Sequence, residues 1–266
     1  MTKAGYAFST ITKYCSQVRN AARLNNTLRL NDADQATIQL AMRSAERQLG
    51  SATARALTLS KEQVLQVATE LDRVRVDFAD GFLVGTMGLL RVAEMLYIRA
   101  QDVDPFATTA DGIPVCGATL KITRSKCDQG AKGVWRPLPC TSSPRVNLPT
   151  VCSSRFCAAH LLLRRAAAAN NMTDRLFPFS NSAFSAHLRS AMATVIGQPN
   201  ESVRLSSHTM RRSGSAICCD APNFSVPLVA EFGRWSTADT LQNVYLRDNA
   251  HAFNRFVSGL LVAWGS

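Results

Sequence analysis

The 266-residue chain has no apolar run behind Met1, and its most apolar stretch, 82–98, is broken by Arg91 and Glu94. A secretory leader and a membrane-spanning helix each need an unbroken apolar segment, so neither is expected. None of the eight cysteines forms a CxxC pair. In a reducing compartment they are expected as buried thiols rather than as a disulfide framework. No cluster of Asp and Glu offers to hold catalytic metals, no internal repeat is present, and the longest low-complexity run is Ala166 to Ala169. Acidic residues are also few: 19 against 30 Lys and Arg, for a net charge of +11. Such an excess favours a polyanionic partner, and nucleic acid is the first choice. The expected location is therefore intracellular, where nucleic acid is: the nucleus in a eukaryote, the cytoplasm or nucleoid in a prokaryote. With 46% hydrophobic residues, the chain can bury one good core and a small second one.

Helical periodicity dominates what is present. Ile11, Tyr14, Cys15 and Val18 recur at helical spacing, with Lys13, Arg19 and Arg23 on other faces. The polar break NDADQ caps a second helix carrying Ile38, Met42 and Ala45, with Arg43 and Arg47 outward. Periodicity lapses over 51–59, and Ser60 to Gln63 forms a capping box ahead of Val64, Val67, Leu71 and Val74. This lapse places a boundary near residue 55, giving segments 1–55 and 56–266. A further helix runs from about Phe78 to Gly88, and Arg91 opens the next. Helices are also expected over 156–169, with a basic Arg164–Arg165 patch, and over 184–196. After Tyr245, the residues Phe253, Val257, Leu260, Leu261 and Trp264 form an apolar stripe, which by itself reads as a helix packing on its own core.

The pattern changes at 117–139. Ala118, Leu120 and Ile122 alternate with Thr119, Lys121 and Thr123, which predicts a half-buried strand. Asp128 to Gly133 supplies turn residues, and Val134 begins a return strand that Pro137 and Pro139 confine to an edge. Lys126 falls near the tip of this hairpin, with Lys121 and Lys132 as alternatives. The expected fold is mainly α with a small antiparallel β-sheet.

Two pairs stand at i and i+3: His208 with Arg211, which can point together at one anion, and Arg91 with Glu94, whose carboxylate can hold the guanidinium in place or support a neighbour. A planar guanidinium suits a phosphate, although Arg91 with Glu94 also reads as a structural salt bridge. Gly233-Arg234-Trp235 follows His208 and Arg211, and Tyr245, one of four tyrosines, lies beyond it. Cys152, Cys157 and His160 read either as zinc ligands or as packed side chains.

The segments GLLRVAEMLYIRAQDVD (88–104), ITRSK (122–126), SSHTMRRSGSA (206–216) and FGRWSTADTLQNVYLRD (232–248) resemble, in this order, the catalytic boxes of the tyrosine recombinases, or phage-integrase-like recombinases. The resemblance puts the family's first catalytic Arg on Arg91, its acidic companion on Glu94 and the hairpin Lys on Lys126. It puts the His-x-x-Arg pair on His208 and Arg211, the His-or-Trp position on Trp235, and the nucleophile on Tyr245. Ten positions separate Trp235 from Tyr245, where the family commonly has about nine. The resemblance also implies an integrase-like catalytic domain over 56–266, preceded by a short helical, SAM-like core-binding segment over 1–55. That segment is half the usual length, so the rest is either absent or beyond this piece; a plain helical extension is the alternative.

Site-specific DNA recombination or integration through a 3′-phosphotyrosyl intermediate, of the kind mobile elements use, is what the resemblance implies. It needs no metal or nucleotide cofactor. Lys13, Arg19, Arg43, Lys121 and Arg124 are the candidate DNA contacts. The implied partner is double-stranded DNA, bound by a homo-tetramer that exchanges C-terminal helices. A DNA-binding protein derived from a recombinase but no longer cutting, and a type IB topoisomerase-like relaxing enzyme, are the alternatives.

Overall fold

Capping chemistry sets where the helices begin. A computed structural model of the chain describes residues 6–25, 30–50, 55–110, 113–123, 133–140, 152, 154–197, 203–221, 224–235, 237–238 and 241. The chain divides into two units, Met1–Arg55 and Ala56–Ser266. The first contains α1 (Phe8–Leu24) and α2 (Asp32–Leu49). The NDADQ break proves to be a capping box: Asn31 Oδ1 accepts the Asp34 amide at 2.8 Å, and the Asp34 carboxylate accepts the Asn31 amide at 3.2 Å. Ile11 and Ala45 are buried, whereas Lys13, Arg19 and Arg43 are exposed.

The second unit opens with the two-residue strand β1 (Arg55–Ala56), followed by α3 (Lys61–Val74) and α4 (Val76–Met87). Ser60 and Gln63 form the expected box at the start of α3. Val64, Val67, Ala68 and Leu71 make its inner stripe. Val74 is exposed, because Arg75 turns the chain into extended backbone and swings α4 across the core. Helix α4 is apolar on almost every side and buried over 77–86, the pattern of a central helix. Each fully buried Phe or Leu side chain on it contributes about 1.5–3 kcal/mol. Gly81 admits Met95, whose Sδ would lie 3.0 Å from an added Cβ. Gly85 does the same for Met210, at 2.9 Å.

Helix α5 (Val92–Leu96) leads into a three-stranded antiparallel sheet ordered β2 (Val103–Ala110), β3 (Ile113–Ile122), β4 (Val134–Pro139). Strand β2 was not expected; Pro105 and its Thr- and Ala-rich sequence hide its character. Ala118, Leu120 and Ile122 are buried, as the alternation in β3 predicts. Pro137 faces Thr119 and Pro139 faces Gly117 on the edge strand, where a missing N–H is tolerated.

Helix α6 (Ala158–Ala167) packs on both α4 and the sheet. Arg165 is not part of a surface patch: its Nε binds Asp80 Oδ2 at 2.6 Å and its Nη1 donates to the Leu176 carbonyl at 3.3 Å. Burial pushes the Asp80 carboxyl up, against the pull of the Arg165 charge. The unit continues through α7 (Asn181–Ile196), β5 (Val203–Arg204, paired with β1), α8 (His208–Asp220) and α9 (Val226–Gly233). Among the described residues no helix is long and apolar enough to cross a membrane. Arg124, Lys126, Lys132, Tyr245 and the stripe from Phe253 to Trp264 lie outside the described residues.

Candidate active site

The tight passage from α4 to α5 sets the first half of the site. Leu89 takes a left-handed conformation (φ 49°) although it is not glycine. This turns its carbonyl toward α8, where Arg211 Nη1 donates to it at 2.8 Å. Arg91 then caps α5. Its amide donates to Glu94 Oε2 at 2.8 Å and its Nη1 to Oε1 at 2.7 Å. The expected i, i+3 pairing is therefore present, with Glu94 almost fully buried.

Helix α8 supplies the second half. It presses so closely on α4 that a Cβ on Gly214 would strike the Thr86 carbonyl. Of the two consecutive arginines, Arg212 faces away and donates from Nε to Thr58 Oγ1 at 2.7 Å. Arg211 points inward and is 1% exposed. Its Nη2 donates to the Gly233 carbonyl, and its Nη1 lies 3.8 Å from Glu94 Oε2. The Trp235 ring covers this guanidinium, with the Arg211 Cζ 3.9 Å from a ring centroid. That contact is a cation–π stack. Gly233 is required here, because any side-chain carbon on it would collide with the Trp235 ring.

Sequence reasoning missed Arg234. It ends α9 in a left-handed conformation (φ 61°), where glycine is the usual occupant. Its Nη2 reaches Glu94 Oε2 at 2.6 Å. Glu94 thus sits among three guanidiniums, from Arg91, Arg211 and Arg234. Burial pushes its carboxyl up, but the Arg234 charge and the Arg91 bonds outweigh that and hold it below the usual carboxylate range. Burial also draws the Arg234 pKa down, against the opposing pull of Glu94. Arg136 on β4 was missed as well. It donates from Nε to the Phe232 carbonyl at 3.0 Å and from Nη2 to the Glu231 carbonyl at 3.1 Å. Together with Arg211 it satisfies the last carbonyls of α9, the negative end of the helix dipole. The inward alternation of Arg136 and Leu138 along β4 was the signal available for it; nothing in the sequence singles out Arg234.

His208 opens α8 at the exposed rim of this cluster. Partial desolvation, then the charges of Arg211, Arg91 and Arg204, hold its imidazole below its ordinary value. It is therefore neutral at pH 7 and able to accept a proton. Lys121 lies on the sheet with its Nζ 5.7 Å from the centroid of the Trp135 ring. The structure thus gathers Arg91, Glu94, His208, Arg211 and Trp235, drawn from stretches more than a hundred residues apart. A second group of ligand-type side chains, Cys140, Cys152, Cys157 and His160, converges elsewhere in the unit.

No family model matches the chain, and no curated protein matches it in sequence. Among solved structures it is similar to the site-specific recombinase XerH bound to palindromic difH substrate in a post-cleavage complex. That likeness has a TM-score of 0.52 at 14% identity and covers 77% of this chain and 53% of XerH. The chain thus spans about half the length of XerH. It is also similar to a lambda integrase dimer bound to a COC′ core site (TM-score 0.48, 12% identity, 88% of this chain and 80% of that one). A lambda integrase tetramer bound to a Holliday junction gives 0.47 and 13%, over 87% and 65% of the two chains. These structural neighbours are tyrosine recombinases. The XerH likeness establishes the fold: mostly helical with a small three-stranded antiparallel sheet, as in the integrase catalytic domain.

Proposed function

Taking the tyrosine-recombinase fold as the premise, we propose that this chain breaks and rejoins double-stranded DNA at specific sites through a 3′-phosphotyrosyl intermediate. The observation that carries the reading is the convergence of Arg91 and Arg211 on the buried Glu94 carboxylate, with His208 close enough to feel both guanidinium charges. XerH, whose fold the chain shares, was captured on its difH DNA after cleavage.

A phosphodiester repels nucleophiles, and its transition state concentrates more charge on the non-bridging oxygens, so fixed cations aimed there supply most of the acceleration. Arg91 and Arg211 fill that role, with Glu94 holding them in register. The Tyr245 phenol, with an ordinary pKa of about 10, is mostly protonated at neutral pH and needs a proton acceptor. His208, kept neutral by partial burial and then by its cationic neighbours, serves as that acceptor. The phenolic oxygen bonds to phosphorus as the bond to the 5′ oxygen breaks, and Lys126 gives that oxygen its proton. Religation reverses the step with a different strand. Trp235, stacked on Arg211, is a further donor through its indole N–H. Lys13, Arg19 and Arg43, exposed on α1 and α2, neutralise backbone phosphates, with Lys121 and Arg124 beside the hairpin. The stripe from Phe253 to Trp264 docks in a neighbouring protomer of a tetrameric synapse.

The test is a suicide DNA substrate whose cleaved strand cannot be religated. The wild-type chain should form a covalent protein–DNA band that survives SDS, and Tyr245→Phe should lose it while keeping DNA affinity. An adduct that persists in Tyr245→Phe would place the nucleophile at Tyr6, Tyr14 or Tyr97 instead. Relaxed circles without recombinant junctions would point to a topoisomerase.

A further inference from the structure

Away from the arginine cluster, the geometry points to a second site of a different kind, and we propose that Cys140, Cys152, Cys157 and His160 bind one structural zinc ion there. The four residues come from three stretches of chain. Cys140 follows the end of β4, Cys152 comes between that strand and α6 in the sequence, and Cys157 and His160 are the N-cap and the first turn of α6. Their ligand atoms all lie within 4.8 Å of one another. Cys140 Sγ is 3.7 Å from Cys152 Sγ, and Cys157 Sγ is 3.3 Å from His160 Nδ1.

The two short separations match one tetrahedral ion, and the set, within 4.8 Å overall, would draw in by about 1 Å around it. With Zn–S near 2.3 Å and Zn–N near 2.0–2.1 Å, two thiolates on one zinc stand about 3.8 Å apart and a thiolate and an imidazole nitrogen about 3.5 Å. The separation of Cys140 and Cys152 is far beyond the roughly 2.0 Å of a disulfide. The donor set selects the ion. Three thiolates and one imidazole are soft to borderline ligands suited to zinc, and four protein ligands close the coordination shell, which is the mark of a structural rather than a catalytic centre.

The surroundings agree. Cys140, Cys157 and His160 are buried, so an ion held there is shielded from water. Cys157 caps α6, where the positive end of the helix favours a thiolate. His160 turns Nδ1 toward the Cys157 sulfur, which identifies Nδ1 as the ligating nitrogen. Binding displaces the thiol protons to solvent. It would clamp the end of β4 to the start of α6 and close the loop between Cys140 and Cys152, restricting the unfolded chain. The same strand leads back from Lys126, so the metal would secure the base of the hairpin. It takes no part in the phosphodiester chemistry.

The full chain, produced with zinc in the medium and purified without chelator, should carry one equivalent of zinc by elemental analysis. Replacement by Co²⁺ should give the intense visible bands of a tetrahedral centre together with a thiolate-to-metal charge-transfer band. Cys140→Ser, Cys152→Ser and His160→Ala should lose the metal. His160→Cys should retain it with a shifted Co²⁺ spectrum, and the control Cys218→Ser should leave it unchanged. Chelation should lower the melting temperature of the wild-type chain, and added zinc should restore it. A reduced wild-type chain that holds no zinc and gives no tetrahedral Co²⁺ spectrum overturns the proposal, as does full zinc content in both Cys140→Ser and Cys152→Ser. The Co²⁺ spectrum of the wild-type chain decides the matter even where a variant fails to fold.

Discussion

Arg234 reaches back 140 positions along the chain to hold Oε2 of Glu94 at 2.6 Å, the same oxygen that accepts the Arg91 amide at 2.8 Å. Both side chains of this pair are buried, at 8% and 2% exposure. Removing one partner of a buried pair leaves the other charge uncompensated, which typically costs about 3–5 kcal/mol. Glu94→Ala strands three cations at once and should lose at least that much in urea unfolding. Arg91→Ala should cost less, because its side chain is 26% exposed. A Glu94→Ala chain as stable as the wild type would remove the carboxylate from the centre of the site. The stabilisation should be full above the ordinary carboxylate pKa and disappear as the pH falls through the lowered value of Glu94.

Close contact between α8 and α4 makes a second expectation. The Cβ of Gly214→Ala meets the Thr86 backbone carbonyl, with Leu89 Cδ2 2.7 Å away, and neither helix can yield without moving the cluster. Overpacking of this kind costs about 1–3 kcal/mol, and thermal unfolding should show a loss of at least that size. DNA cleavage should fall further than stability alone explains, because α8 carries both His208 and Arg211. An unshifted melting temperature would contradict the contact.

His208 gives a dependence on pH. Its folded-state pKa lies below the ordinary 6.5 through partial burial and the neighbouring arginines, so the imidazole stays neutral down to more acid conditions than usual. In single-turnover cleavage the acid limb assigned to His208 should therefore fall below pH 6.5. It should vanish in His208→Asn. A limb at or above the ordinary value would deny His208 the role of proton acceptor.

Lys126 is tested by its leaving group. Lys126→Ala should slow cleavage of normal DNA strongly, and a 5′-bridging sulfur should restore it, because a thiolate departs without a proton. Arg211→Ala should lose about 10²–10³ in rate and should not be rescued. A Lys126→Ala variant that the bridging sulfur does not rescue would shift the acid to Lys121 or Lys132.

How much of this was legible in the sequence follows from the range of each interaction. Both capping boxes are local and complete within four residues: the one at Ser60 is legible to the residue, and the one at Asn31 only as the polar break NDADQ. The alternation of Ala118, Leu120 and Ile122 gave the buried face of β3, whereas β2 carries no such alternation and was overlooked. Arg165 looked like half of a surface patch because its partner, Asp80, lies 85 positions away. Arg234 and Arg136 escaped for the same reason: each acts on groups about a hundred residues distant. Cys140 was not grouped with Cys152, Cys157 and His160, since only the packing of β4 against α6 brings it to them. Resemblance identified Arg91, Glu94, His208, Arg211 and Trp235 as a set. It gave no hint that Trp235 would lie over Arg211.

The hold of Arg136 on the end of α9 gives the unit a linkage in the mechanical sense. Strand β4 leads back from the candidate acid Lys126, and the end of α9 leads on toward the candidate nucleophile Tyr245. Arg136 joins the strand to the helix end at 3.0 and 3.1 Å, so under the proposed function the segments leading to the candidate acid and the candidate nucleophile are tied together at a single guanidinium.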